Sequence, residues 1–276
     1  MGDLEPMPVD TSPDDALSPE LSAALERFAS QPSLLVCLDF DGCVAELVPD
    51  AADARPVPAT AEAVQAVAAL EGVRVAYVSG RPLETLRELS AAPSGTLFIG
   101  SHGAERDFAE LTDDDTELAL TQAQQEARRQ ILEAMESIAA GTAGAWVEHK
   151  PAGAAMHVRK VPDRQSRIQV LKRTREAVAL IEDAHAKDGK EVLEAVVVQA
   201  TKGEGISELR DLVQPDAVFF VGDDVTDEFG FAVLSGEDLG LKVGPGETRA
   251  AHRIDAPAQL AEVLTVIVEA RAEGQR

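Results

Sequence analysis

"LLVCLDFDGCVAEL", Leu34 to Leu47, decides how this chain is read. Its first half is an apolar run of the kind found in strands buried on both faces, and it ends on two carboxylates, Asp39 and Asp41. Carboxylates are rarely buried without partners, because desolvating the charge is costly. In an extended segment residues i and i+2 point to the same side, so both can converge on one ligand, with Gly42 allowing a sharp turn after them. Two carboxylates this close repel, which raises at least one pKa unless a cation neutralises them. A hard divalent ion with oxygen ligands meets that need, and Mg²⁺ is the common choice where a phosphate also binds. A helix cap or an Asx turn is the plainer alternative.

Outward from this stretch, short β-rich runs alternate with helical patterns. "VRVAYVSG", "GTLFIGSHG", "AVFFVGDD" and "LGLKVG" read as strands. "TAEAVQAVAAL", "PLETLRELS", "TKGEGISELRDLV", "VTDEFGFAVL" and Pro257 to Ala270 read as helices. The alternation predicts an α/β fold with a parallel sheet covered on both faces, whose ligand sits outside the carboxyl ends of the strands. Several strand ends carry polar groups there. "VSGRP" offers Ser79 and Arg81, and "VGDDVTDE" offers Asp223, Asp224 and Asp227. "TKGEG" places Lys202 at a helix start. Singly, the first reads as a helix cap and the last as a solvated lysine. Together they form a site suited to phosphoryl transfer.

The middle of the chain differs. A long helical stretch, Thr116 to Ala140, leads into an expected hairpin around Pro151–Gly153. A helix from about Asp163 to Ala186 and a strand in "EVLEAVVVQA" follow. The expected organisation is a disordered acidic tail over 1–19, a core over 20–107 and 199–276, and an inserted α+β cap over 108–198.

Composition narrows the classes. With 276 residues, 45% of them hydrophobic, the chain can bury one large or two modest cores. A net charge of −24 disfavours nucleic acid and anionic lipid as partners. No apolar run reaches the length of a membrane span, and the acidic, Pro-rich start does not read as a signal peptide. The two cysteines, Cys37 and Cys43, suggest no disulfide framework, so a reducing cytoplasm is the expected compartment. A monomer is expected.

Taken in order, "DFDGC", "SGR", "KG" and "GDDVTDE" resemble the haloacid dehalogenase superfamily of aspartate-nucleophile phosphatases. "SGRP", "GSHGAE", "EHKPAGAAMHVRK" and "TKGEG" narrow the resemblance to the trehalose-6-phosphate phosphatases. It implies a Rossmann-like haloacid dehalogenase core with a mobile cap, and a Mg²⁺-dependent phosphatase acting on a small sugar phosphate, trehalose 6-phosphate. In that reading Asp39 is the nucleophile and Asp41 the general acid and base. Mg²⁺ is held by Asp39, the Asp41 carbonyl and Asp223, with Asp224 and Asp227 orienting around it. Ser79 and Lys202 bind the phosphoryl oxygens. Arg81, His102, Gly103, Glu148, Lys150, Arg159, Lys190 and Glu194 are the implied substrate contacts, while His157 is expected to be structural. Two departures stand out: Cys43 replaces the usual Thr, and Val196 replaces a frequent basic residue. Phosphatases of sucrose phosphate or mannosylglycerate phosphate are the nearest rivals. A phospho-receiver module is the rival of another class, but it is about half this length and needs no Asp41.

Overall fold

The computed structural model describes residues 17–109, 111, 118 and 120–274. Most of the expected acidic tail therefore lies outside the described residues. Among those described, the chain runs α1 (Pro19–Ala29), β1 (Leu34–Leu38), α2 (Pro58–Ala68), β2 (Val73–Val78), α3 (Leu83–Ser90), β3 (Leu97–Gly100) and β4 (Glu105–Asp107). There follow α4 (Gln122–Ala140), β5 (Trp146–Lys150), β6 (Gly153–His157), α5 (Arg164–Val178), β7 (His185–Gly189) and β8 (Val192–Val196). Last come α6 (Lys202–Val213), β9 (Ala217–Gly222), α7 (Glu228–Phe231), β10 (Leu239–Val243), β11 (His252–Ile254) and α8 (Leu260–Gly274).

Seven strands form one sheet in the order β11-β10-β9-β1-β2-β3-β4, parallel throughout except for β4, which runs antiparallel to β3. β1 is central and wholly buried, as its uninterrupted apolar sequence requires. Period-two alternation sends Val36 and Leu38 to the face covered by α1, α2 and α8, among Phe28, Val64 and Leu264. Leu35 and Cys37 point the other way, toward Ile206 and Leu209 of α6. From β1 the chain builds outward through β2 and β3, and from β9 it builds the opposite way through β10 and β11. The strand order thus reverses between β1 and β9, which opens a crevice at their carboxyl ends.

A second, antiparallel sheet has the order β5-β6-β8-β7. Ala154, Met156, Leu193 and Ala195 on one face pack against Ile131, Met135 and Val170 of α4 and α5. The register places Glu148, Ala155, Glu194 and Lys187 side by side on the opposite face, with Lys150, Gly153, Val196 and His185 in the neighbouring rung.

Several elements differ from the sequence expectation. The helix expected from Thr116 begins at Gln122, where Thr121 accepts the Gln124 amide and Gln124 reaches back to Thr121; residues 112–117 and 119 lie outside the described residues. The helix expected to run to Ala186 stops at Val178. Asp183 adopts a left-handed conformation and His185–Gly189 pairs with β8 as an edge strand, so sheet pairing overrides helix propensity there. In "VTDEFGFAVL" only Glu228–Phe231 is α-helical. Asp227 precedes it but spends its carboxylate elsewhere instead of capping. The short strands β4 and β11, three residues each, were not expected.

Candidate active site

Where β1 ends, the Asp39 amide donates to the Val221 carbonyl (3.1 Å) and carries the pairing with β9 one residue further. The chain then folds back on itself. Ala45 N–H reaches the Phe40 carbonyl and Gly42 N–H the Ala45 carbonyl, both at 2.8 Å. Gly42 has φ +76°, and a Cβ there would lie 2.1 Å from Asp223 Oδ2. Only glycine lets the loop after β1 approach the carboxylate that follows β9.

Asp39 is buried, and Lys202 lies 2.8 Å from its Oδ1. The same ammonium lies 2.6 Å from Oδ1 of the fully buried Asp227. Oδ2 of Asp227 accepts the amides of Asp223 and Asp224, each at 2.9 Å, so it ties the loop after β9 to the lysine. Lys202 occupies the first turn of α6, whose start is fixed by the reciprocal Thr201–Glu204 cap. Burial alone would lower the Lys202 pKa, but Asp39 and Asp227 more than offset it and hold the group well above its usual range. It stays an ammonium. Lys242, buried on β10, donates to the Asp223 main-chain carbonyl.

Burial pushes the Asp39 carboxyl well above the carboxylate range, and Asp227 and Asp223 add to it against the pull of Lys202. Asp223 rises to about 6, by burial first and then by Asp227. Oxygens of Asp39 and Asp223 and the Cys43 sulfur lie within 4.8 Å of one another. Carboxylates forced together under burial are the donor set that a hard divalent cation relieves, so these residues fit one. Cys43 is buried and its thiol is pushed up by burial and then by Asp39, so it remains a neutral neighbour.

Arg81 grips Asp41 with a two-pronged ion pair, Nε to Oδ2 and Nη2 to Oδ1, both 2.6 Å. Its guanidinium also lies 5.3 Å from the Phe40 ring centroid. Ser79 is buried, and its hydroxyl accepts the Arg81 amide at 3.2 Å. His102 takes a left-handed backbone, φ +56°, and its amide donates to the Ser79 carbonyl at 3.0 Å. Burial, and then Lys202, Lys187 and Lys150, drive its imidazole down to about 3, so it is neutral. Gly103 has φ +109° and lies so close to the Thr201 carbonyl that a Cβ would come within 2.3 Å.

The second sheet turns its charged face toward this crevice. A cavity of about 370 Å³ is lined by His102 after β3, by Phe229 of α7, and by Lys150, Lys187 and Glu194 from the second sheet. Lys150 Nζ is 2.7 Å from Glu194 Oε1. Glu148 Oε2 is 2.8 Å from His157 Nε2, and that hydrogen bond leads the causes that lower the Glu148 pKa. The His157 ring in turn stacks on Trp146, with centroids 4.6 Å apart. Lys190 is exposed in the turn between β7 and β8, outside the cavity lining. Arg159 Nη1 donates to the Pro49 carbonyl at 3.2 Å, joining the segment after β6 to the loop after β1. Sequence reasoning did not single out Lys187, Phe229 or Lys242. For Lys242 the signal was a lysine inside the apolar run "LGLKVG".

Comparison with known proteins places this geometry in context. A family model described as trehalose-phosphatase matches residues 37–263. A trehalose-phosphate phosphatase of Mycobacterium leprae is 29% identical over 90% of this chain and 60% of its own length. A bifunctional trehalose-6-phosphate synthase/phosphatase of Thermoproteus tenax is 31% identical over 82% of this chain and 31% of its own. The chain thus spans about 60% of the length of the mycobacterial relative. Among solved structures, the C-terminal domain of a Candida albicans trehalose-6-phosphate phosphatase aligns with a TM-score of 0.74 at 19% identity, covering 90% of this chain and 96% of that one. A haloacid dehalogenase subclass IIB sugar phosphatase aligns with a TM-score of 0.52 at 14% identity, covering 84% and 97%. These likenesses show the fold as that of the haloacid dehalogenase group. Among the described residues no helix is long and apolar enough to cross a membrane.

Proposed function

The chain belongs to the trehalose-phosphatase family, and on that premise we propose that it hydrolyses trehalose 6-phosphate to trehalose and phosphate with Mg²⁺ as its cation. One observation carries the reading. Asp39 is held at the strand-order reversal by Lys202 and faces Asp223 across a gap that Gly42 keeps open. Asp39, Asp223 and the Asp41 carbonyl would hold the ion. When bound, it neutralises the phosphate's charge and holds that group in place for attack.

This chain's residues perform the rest. A carboxylate oxygen of Asp39 attacks phosphorus as the bond to the sugar oxygen breaks, which leaves an aspartyl-phosphate. Asp41 supplies the proton that the departing sugar oxygen takes up, then removes one from the water that cleaves the aspartyl-phosphate and frees Asp39. Lys202 and Ser79 stabilise charge on the phosphoryl oxygens, and Asp227 keeps Lys202 in place. The charged face of the second sheet acts as the cap, with Glu148, Lys150 and Glu194 supplying acceptors and donors to sugar hydroxyls. Measuring phosphate release from trehalose 6-phosphate, with Mg²⁺ and after exhaustive chelation, tests the reading. Turnover that depends on Mg²⁺ and exceeds that of sucrose phosphate supports it; full turnover after chelation, or equal turnover of unrelated monophosphates, overturns it.

A further inference from the structure

Two residues on the cavity wall lie outside the roles described so far. Lys187 is on β7, directly opposite Glu194 of β8, so the two side chains share a face. Glu194 is already engaged by Lys150, which gives a row of ammonium, carboxylate and ammonium across the sheet. Lys187 also faces the catalytic centre. Burial lowers its pKa, and the charges it feels include Asp224 and Lys202 as well as Glu194 and Lys150. His102, on the other side of the cavity, feels Lys187 in return.

Phe229 closes the same cavity from α7. Phe231, two residues on, is buried against Phe220 with ring centroids 5.1 Å apart. Residues two apart on a helix point to different sides, so anchoring Phe231 turns Phe229 outward, and it is 55% exposed. The wall that Phe229 joins mixes charged groups, Lys150, Lys187 and Glu194, with apolar ones such as Ala152, Val196 and Ala200, so the cavity offers a ligand both kinds of surface. Sugar rings have an edge of hydroxyls and a face of C–H groups. A row of charged donors and acceptors matches the first, and an aromatic face matches the second.

We propose that Lys187 and Phe229 hold the sugar ring farther from phosphorus, Lys187 by donating to a ring hydroxyl and Phe229 by covering the ring's C–H face; this rests on the function proposed above. Lys187 is then a reader of the sugar that stands beside Lys150 and Glu194, and Phe229 sets which ring faces fit.

The test compares Lys187→Met, Phe229→Ala and the double variant on trehalose 6-phosphate and on p-nitrophenyl phosphate, which has no sugar. Each single change is expected to raise the KM for trehalose 6-phosphate by about tenfold or more, well beyond its effect on p-nitrophenyl phosphate. The double variant is expected to lose less than the product of the two, because both contacts serve one ring. Phe229→Trp and Lys187→Arg are expected to recover part of the loss, and they carry the test should either truncation fail to fold. Equal proportional losses on both substrates in folded variants, or an unchanged KM, would overturn the inference. Wild-type protein that cleaves p-nitrophenyl phosphate but not trehalose 6-phosphate would instead overturn the proposed function.

Discussion

Two lysine–carboxylate groups show how differently the two sheets of this protein use charge. Lys202 meets Asp39 and Asp227 where side-chain exposure is 3%, 6% and 0%. Lys150 meets Glu194 at 14% and 17%, on the cavity wall. In the first group every partner is over-determined: Asp227 also holds two backbone amides, and Lys202 starts a capped helix. In the second, each side chain stands on a regular strand and can exchange its partner for a ligand. If the first group serves phosphoryl chemistry as proposed, its charges are locked before substrate arrives, which is what electrostatic preorganisation demands. The charges proposed to read hydroxyls keep some contact with the cavity.

The sharpest way to break the contrast is Asp39→Asn. It keeps the shape but removes the nucleophile, so phosphate release is expected to fall by on the order of 10⁴-fold or more while circular dichroism is retained. Activity near the wild-type level would end the nucleophile assignment. The paired comparison of Lys202→Met with Lys150→Met comes next. Removing Lys202 strands two buried carboxylates and is expected to cost about 3–5 kcal/mol in urea unfolding. Removing Lys150 is expected to cost less, about 1–2 kcal/mol, since that pair keeps some contact with water. Similar costs would mean that the two groups are not built differently.

A third experiment uses pH. Asp223 is raised to about 6 in the folded state by burial and by Asp227, so protonation favours the metal-free fold and ionisation strains it. Stability from this group is therefore present at low pH and is lost as pH rises through about 6. A divalent cation needs the ionised form and reverses that loss. The rise in Tm on adding Mg²⁺ is expected to be larger at pH 7.5 than at pH 5, by calorimetry; the opposite order would exclude Asp223 as a ligand. The smallest effect is expected from His157→Phe, which keeps a ring on Trp146 but removes the hydrogen bond to Glu148. A rise of about threefold to tenfold in the KM for trehalose 6-phosphate, with kcat nearly constant, would show that His157 positions Glu148. A change in kcat alone would point elsewhere.

How legible each region was in the sequence follows the same divide. The apolar runs that end in Asp39, Ser79 and Asp223, broken only by the exposed Arg74 of β2, announced a buried parallel sheet, because burial on both faces favours apolar residues until the strand meets the crevice. β7 was invisible for the opposite reason. "HAKDG" is exposed along its whole length and has neither alternation nor β-branched residues, while the preceding "EAVALIEDA" favours continued helix. Misreading that edge strand hid Lys187. The three-residue strands at the sheet's margins, "ERD" and "HRI", are too short and too charged to carry a pattern. Arg81 was legible as a site residue, but not its grip on Asp41, which joins positions 40 residues apart through the fold.

That grip has a kinetic meaning. While the Arg81 guanidinium holds both carboxylate oxygens of Asp41, the proton relay proposed for Asp41 would have to wait until that grip loosens. Leaving that state requires the guanidinium to slide away or to share itself with a newcomer rich in anionic oxygens. On the proposed function a phosphate ester would be such a newcomer and a lone water would not, so arrival of cargo and release of the brake would coincide.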